Sequence, residues 1–449
     1  MLSRPLASGS FAARVACARA GTTSWLDGND GSDRGRFSFL GLRPVESRVV
    51  CAEDPDPLAL FDRLEAEREH ALSGEALPGL AWAHVPRWIG AIAYDLAWGM
   101  RSALGLRRPA VHTRARAPLA FFHRHDALLA RDARTGEVAI LADDEAAADR
   151  LAALLGAEPL RAEARVGPLR VEPRELHARS IEAALALVRD GIVYQINLAR
   201  RWRAEVEGRA PGRALAVASS RASPVPYGAY LELGEQGSEF ALASRSMERF
   251  LRWDRARALL ETRPIKGTIA AAPGTLEARE RALLADPKER AEHAMIVDLM
   301  RNDLGRVAET GGVEVVRAFE VEPYRHLQHL VSTVRARTRS DATLREVLLA
   351  TFPPGSVTGT PKLSAIEHIE ILERFPRGFY CGAIGHVDRS GGLDLSVAIR
   401  TMQLAGRELT YFAGGGLVDA SELVRELDET ELKARVLEDT IRALEDRGG

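Results

Sequence analysis

The sequence predicts an α+β protein, and three observations lead there. Period-2 alternation marks residues 192–198 and 393–401 as strands. Amphipathic stretches with helical spacing stand beside them. The two kinds of element do not alternate strictly, as a doubly wound parallel sheet would require. The composition agrees: 449 residues, 46% hydrophobic and 28% charged, with a net charge of -2 and a mean hydropathy of -0.14. These values describe a soluble globular chain and exclude disorder, collagen and a disulfide scaffold. The length fits two or three ordinary domains, or one unit built on large mixed sheets.

Taken in order, the first 21 residues contain Arg and Ser but no acid, superficially like a transit peptide, and lack the apolar segment of a secretion signal. Residues 10–20 are expected as a first helix. Residues 35–41 alternate like a strand. Asp56 at N-cap and Pro57 at N1 open a helix that turns Leu58, Phe61 and Leu64 inward. The longest apolar run, 88–98, is broken by Asp95 and falls short of the ~18 residues of a membrane span. Residues 101–116 are Arg-rich and expected as a solvated loop. An Ala-rich helix, 144–155, leads into Gly156, Pro159, Gly167, Pro168 and Pro173, a cluster of breakers that separates region 1–165 from region 172–449. A helix over 173–190 turns Leu176, Ile181, Leu185 and Val188 inward and stops at Gly191. The strand after it places Ile192, Tyr194, Ile196 and Leu198 on one face, Gln195 and Asn197 on the other. In 393–401, Arg400 shares a face with Asp394 and Ser396.

The near-neutral charge offers no basic face for nucleic acid. Cys17, Cys51 and Cys381 form no CxxC pair, which suits a reducing cytoplasm and argues against thiolate metal sites. Of 61 basic residues only four are lysine: Lys266, Lys288, Lys362 and Lys433. Unlike Arg, a buried Lys can lose its proton.

Two acidic helices carry the strongest chemical signal. In the first, Asp286, Pro287 and Glu289 make a capping-box-like start, and Glu289 and Glu292 lie at i, i+3 beside Ile296 and Leu299. In the second, Glu426 and Glu429 flank a stripe of Leu423, Leu427, Ala434 and Leu437, where a Glu429–Lys433 surface pair is the plainer reading. Facing one another, the two acidic pairs would hold a hard divalent cation such as Mg²⁺. The segment Glu261–Thr268 (ETRPIKGT) presents Lys266 in a turn, as a nucleophile if desolvation lowers its pKa. Residues 353–362 (PPGSVTGTPK) look like an anion-binding loop without being a Walker A motif, and 413–418 (AGGGLV) offers bare backbone N–H groups to a carboxylate.

Together these segments resemble the chorismate-utilising enzymes, in particular the component I branch of aminodeoxychorismate synthase. The matching stretches are WLDGND…GRFSFLG, DGIVYQINLARR, SRSMERFL, TRPIKGT, DPKERAEHAMIVDLMRNDLGRV, VEPYRHLQHLVSTV, FPPGSVTGTPKLSAIEHIE, FYCGAIGH, LDLSVAIRTM and AGGGLV…ELDETELKA. They run in family order over almost the whole chain, densely from about residue 172. The resemblance implies two large, mainly antiparallel sheets packed as a sandwich with helices outside. It implies that 172–449 is the chorismate-binding catalytic region. Glu292 and Glu429 would be Mg²⁺ ligands, with Glu289 and Glu426 holding metal-bound waters. Arg400 and Tyr380, with the backbone around Gly414, Gly415 and Gly416, would hold the enolpyruvyl carboxylate. Thr358 and His329 would line the ring, and Glu248 would be the general acid.

Two positions choose among branches. Gln195 stands where isochorismate and salicylate synthases use a water-activating lysine. Lys266 in PIKGT, rather than PIAGT, implies amination: its amine would attack carbon 2 of chorismate, expel the 4-hydroxyl, and be displaced by ammonia at carbon 4. The product would be 4-amino-4-deoxychorismate, for 4-aminobenzoate and folate. His293 follows Glu292 as in anthranilate synthase component I, the runner-up reading. Ser246-Met247-Glu248 replaces the usual Ser-Pro-Glu, and 221–227 departs from the Pro-rich motif near the tryptophan-sensing region of relatives, so tryptophan regulation is not expected. A non-catalytic chorismate-binding subunit is disfavoured by Glu292, Glu429, Lys266 and Arg400, and a nucleotide-binding transferase by the spacing of 355–362. No glutaminase nucleophile motif surrounds the three cysteines, so ammonia is expected from solution or from a separate glutamine amidotransferase subunit.

Overall fold

The computed structural model describes residues 1–6, 22–28, 32, 34–107, 117–156, 161–234, 237, 239–270, 280, 281, 284–323 and 327–445. Among these, two large antiparallel sheets carry the fold. The first has 13 strands, and its main path runs through Leu2–Leu6, Val138–Ala142, Ala127–Asp132, Phe37–Leu42, Thr23–Asp27, Tyr227–Leu233, Phe240–Ser246, Thr401–Ala405, Glu408–Leu417 and Gln195–Glu207 to Arg165–Val166. The second has ten, in the order Ile265–Ala270, Leu327–Thr338, Leu259–Arg263, Arg249–Asp254, Leu393–Val397, Ala383–Asp388, Pro86–Ile92, Ala120–Arg124 and Glu46–Val50, with Ala308–Pro323 alongside Leu327–Thr338. Both sheets take strands from before and after the breaker cluster at 156–173.

The sheets pack face to face. Leu231 and Leu242 of the first meet Ile89, Phe121 and Ile384 of the second in one apolar cluster. Helices cover the outer faces: Leu151, Leu215 and Leu437 lie on the first sheet, and Ile296, Met300 and Val347 on the second. Each such side chain contributes about 1.5–3 kcal/mol on burial. A sheet covered on both faces buries successive residues in turn. In Val138–Ala142, Ile140 enters the helix-side cluster while Leu141 enters the inter-sheet one, so the segment is apolar throughout.

Several expected elements shift. The helix after Pro57 is Ala59–Ala66 and begins two residues late, because the Asp56 carboxylate takes the Leu58 N–H in a turn; Leu58, Phe61 and Leu64 are buried as expected. The strand after Gly191 begins at Gln195, leaving Ile192 and Tyr194 45% and 60% exposed, while Ile196 and Leu198 are buried. The Arg-rich stretch opens with a helical turn, Arg101–Leu104. Its residues 108–116, like the expected helix at 10–20, lie outside the described residues.

The largest departure concerns 393–401, which is two strands in different sheets. Leu393–Val397 belongs to the second sheet and Thr401–Ala405 to the first. Arg400 therefore shares no strand face with Asp394 and Ser396. It sits at the corner with φ 51°, in the left-handed region. The chain makes a second corner between Phe240–Ser246 in the first sheet and Arg249–Asp254 in the second. The corners are bonded together: Val397 N–H donates to the Glu248 carbonyl and Arg245 N–H to that of Arg400, each at 3.0 Å. Strands that change sheet make the corners of a sandwich, and here they place Glu248 and Arg400 side by side.

Candidate active site

A cavity of about 760 Å³ opens at these corners. The helix Pro287–Gly305 brings Glu289 and Glu292 to it, and Leu423–Glu445 brings Glu426, Glu429 and Lys433. Asp286 caps the first helix as expected, its carboxylate accepting the Glu289 N–H at 3.2 Å. Lys266, His329, Tyr380, Arg400, Gly414 and Gly416 complete the group of expected residues on the wall, together with Glu248.

At the centre, Glu292 Oε1 accepts from Lys266 Nζ and from Gln195 Nε2, each at 2.8 Å. These groups crowd the bare Cα of Gly416. A Cβ there would stand 2.4 Å from Gln195 Nε2, 2.5 Å from Lys266 Nζ and 2.6 Å from Glu292 Oε1. Lys266 lies within a strand, Ile265–Ala270, and not in a turn; the register slips just after it, between Lys266 and Thr268. Burial pulls the Lys266 amine down, but Glu292, with Glu248 and Glu429, outweighs it, so the pKa is raised and the group is an ammonium. The expectation that desolvation lowers it is corrected: three carboxylates oppose the effect.

Glu248 is buried, and burial pushes its carboxyl up to about 7 despite a hydrogen bond from Ser356 and one from the Ile265 N–H. It is poised to hold a proton near neutrality, as a general acid must. Tyr380 stacks on Phe412 with ring centres 5.3 Å apart.

The glycine segment is the end of the strand Glu408–Leu417, not a loop. Asn197 and Ala199, opposite Gly416 and Gly414, donate their N–H groups to the Thr358 carbonyl and the Glu373 carboxylate instead of across the pair. Gly414 and Gly416 thus turn their own backbone groups away from that strand. The Gly414 carbonyl takes Lys433 Nζ at 2.9 Å, and Lys433 also pairs with Glu429 at 2.7 Å. The surface-pair reading of Glu429 and Lys433 is therefore realised, but on the cavity wall.

Four expected site residues are not on the wall. Thr358 is fully buried, its hydroxyl donating to the Pro354 carbonyl, and Ser356 and Val357 line the cavity in its place. Gln195 stands behind the wall, its Nε2 bonded to Glu292 and packed against Gly416. Gly415 faces Glu426, whose Oε2 would be 3.2 Å from a Cβ there. His293 is buried against Phe319 with Nε2 2.6 Å from Ser332 Oγ, and burial, with the charge of Lys266, pushes it down to about 4. The wall also takes Asn197, Ser356 and Lys433, which are not among the expected site residues although the sequence marks them by a polar strand face, the 353–362 loop and an i, i+4 pair with Glu429.

The carboxylates suit a hard divalent cation in donor type. As they stand, Glu292 and Glu429 are neutralised by Lys266 and Lys433, and among the described residues no three potential ligands are gathered closely enough to hold an ion. No described helix is long and apolar enough to cross a membrane.

Known proteins resemble this chain over most of its length. The sequence profile described as chorismate binding enzyme matches residues 34–439. An aminodeoxychorismate synthase of Streptomyces griseus is 38% identical over 92% of this chain and 60% of its own length. Aminodeoxychorismate synthase component 1 of Escherichia coli is 40% identical over 57% of this chain and 55% of its own. The chain thus spans a little over half the length of the curated relatives it matches. Among solved structures, anthranilate synthase component I from Streptococcus pneumoniae superposes with a TM-score of 0.74 at 28% identity, covering 90% of this chain and 92% of that one.

Proposed function

Because the chain belongs to the chorismate binding enzyme family, we propose that it converts chorismate and ammonia to 4-amino-4-deoxychorismate in a Mg²⁺-dependent reaction, for 4-aminobenzoate and folate synthesis. The observation that carries this reading is the position of Lys266 Nζ, inside the cavity against Glu292 and above Gly416. An amine there is a nucleophile in reach of a bound ring. The names of the Streptomyces and Escherichia relatives support the same product.

Glu292 and Glu429 would hold the cation, with Glu289 and Glu426 beside them. When bound, Mg²⁺ would supply a positive anchor for the ring carboxylate and draw electrons from the ring. Arg400 and the backbone groups of Gly414 and Gly416 hold the second carboxylate. The Lys266 ammonium first gives its proton to a neighbouring carboxylate; the neutral amine then forms a bond to carbon 2, the two ring double bonds shift, and the carbon 4–oxygen bond breaks. Glu248 gives its proton to the departing hydroxyl, which leaves as water. Ammonia adds at carbon 4 by the reverse shift and expels the neutral lysine amine, which takes its proton back from that carboxylate, while the new ammonium on carbon 4 returns one to Glu248. Burial favours the neutral amine and Glu292 opposes it, so whatever draws Glu292 away from Lys266 promotes attack. Ammonia comes from a separate glutamine amidotransferase subunit, in keeping with the component 1 name of the Escherichia relative.

The alternative product, anthranilate, requires pyruvate elimination in the same cavity. His293, the residue that suggested it, is turned to Ser332 and Phe319, which favours amination without elimination. Chromatography of purified protein with chorismate, Mg²⁺ and an ammonium salt tests the reading. It expects 4-amino-4-deoxychorismate, and anthranilate as the sole product would overturn it.

A further inference from the structure

Behind the cavity wall lies a charged pair that the reaction does not use. Arg377 and Glu373 are 2% and 3% exposed. The guanidinium grips the carboxylate through Nε at 2.9 Å and Nη2 at 2.7 Å. Its remaining reach goes to two wall segments: Nη2 donates to the Asn197 carbonyl at 2.6 Å and Nη1 to the Val357 carbonyl at 3.0 Å. Its Cζ lies 4.6 Å from the centre of the Tyr94 ring and 5.7 Å from that of Tyr380. The Arg377 carbonyl accepts the Tyr380 N–H.

The parts it ties are those that face the substrate space. Asn197, Val357 and Tyr380 line the cavity, and Ser356, next to Val357, donates to Glu248. The Asn197 side chain is 5% exposed, and its Nδ2 has no hydrogen-bond partner among the described residues. Strand Gln195–Glu207 is bonded to the segment after turn Gly355–Val357 through Asn197 N–H and the Thr358 carbonyl, and the fork adds a side-chain tie to the Asn197 and Val357 carbonyls that lysine, a point charge, cannot reproduce. Resting on the function proposed above, we propose that Arg377 is a positioning residue, which sets the Asn197 carboxamide, the Tyr380 ring and the Ser356–Glu248 contact in register for the reaction.

Arg377→Lys keeps a charge opposite Glu373 and removes the fork. Hydrogen exchange over 195–199 and 355–360 is expected to quicken at least tenfold. The rate constant kcat with chorismate and ammonia is expected to fall at least tenfold, while KM for chorismate changes less than threefold because the acidic end is untouched. Glu373→Gln leaves the guanidinium, its two carbonyl bonds and an amide oxygen to accept the Ala199 N–H, so it is expected to lower Tm yet keep kcat within threefold. Wild-type exchange or wild-type kcat in folded Arg377→Lys overturns the proposal, and so does a tenfold loss of kcat in folded Glu373→Gln. If Arg377→Lys does not fold, the Glu373→Gln arm decides. A wild-type protein that leaves chorismate unchanged refutes the function and not the brace, which the exchange measurement still decides.

Discussion

Replacing Gly416 by alanine adds one methyl group where three functional side chains converge. The backbone there lies outside the left-handed region, so alanine meets no torsional penalty. The steric demand is specific: the Cβ would stand 2.4–2.6 Å from Gln195 Nε2, Lys266 Nζ and Glu292 Oε1, about 0.8–1.0 Å inside the 3.4 Å at which ordinary contact begins. All three atoms are ends of flexible side chains and can retreat, so the fold should survive with a loss of about 1–3 kcal/mol at most. Catalysis should not survive equally, because a displacement of ~1 Å at a reacting group costs about 100-fold, or ~2.7 kcal/mol of barrier. The assay is kcat/KM for chorismate with saturating ammonium, beside Tm by differential scanning fluorimetry. Gly415→Ala is the control, since its Cβ would lie 3.2 Å from Glu426 Oε2 alone in that tight range, and it should lose tenfold or less. A Gly416→Ala enzyme within threefold of wild type would refute the convergence of Lys266 and Glu292 as the working centre.

Lys266→Arg should lose almost all amination, since guanidinium does not give up its proton; Lys266→Ala should still bind chorismate, and wild-type rates in it would overturn the covalent route. Glu292→Gln should abolish Mg²⁺-dependent turnover without unfolding the protein, and undiminished activity at the wild-type Mg²⁺ requirement would exclude Glu292 as a ligand. With Glu248 pushed up to about 7 and required in its protonated form, kcat/KM should decline as pH rises beyond about 7, and that limb should vanish in Glu248→Gln; a limb that persists there belongs to another group. Lys362 is buried against Asp303 and the Thr351 carbonyl, so Lys362→Met should cost about 3–5 kcal/mol in urea unfolding by leaving a carboxylate unpaired; a loss below ~1 kcal/mol would show that Asp303 simply takes a proton.

The layers of the fold were legible where periodicity is local. Arg174–Arg189 and Glu145–Gly156 follow the predicted helices closely, because an amphipathic stripe and a terminal glycine act within a few residues. The sheet corners were not. In 393–401 the alternation runs on unbroken across a change of sheet, since a strand that leaves one buried sheet for another keeps burying side chains on both sides. Period 2 reports burial and not partnership, so Arg400 was assigned a strand face it does not have. The same limit hid the interleaving of both sequence regions in both sheets, which depends on pairings such as Tyr230 with Trp25 across some 200 residues.

At the site, sequence gave residue types and the fold gave their neighbours. The two i, i+3 acidic pairs could be placed on helix faces from spacing alone. That Glu292 is already matched by Lys266 could not, because one lies on a helix and the other on a strand of the second sheet. This decides the sign of the Lys266 shift: burial was foreseen, the opposing carboxylates were not. The scarcity of lysine proved the more informative signal. Arginine serves the surface and also buried pairs such as Arg213 with Glu232 and Arg377 with Glu373, where a planar, weakly hydrated fork matches a carboxylate. Two of the four lysines line the cavity and a third is sealed against Asp303. A compact ammonium with three donors fits sites where one nitrogen must serve several oxygens, as Lys433 does for Glu429 and Gly414. In this arginine-rich chain Lys266, Lys362 and Lys433 each place one compact cation against buried or cavity-wall oxygens, and Lys266 is the one whose charge the proposed reaction must remove.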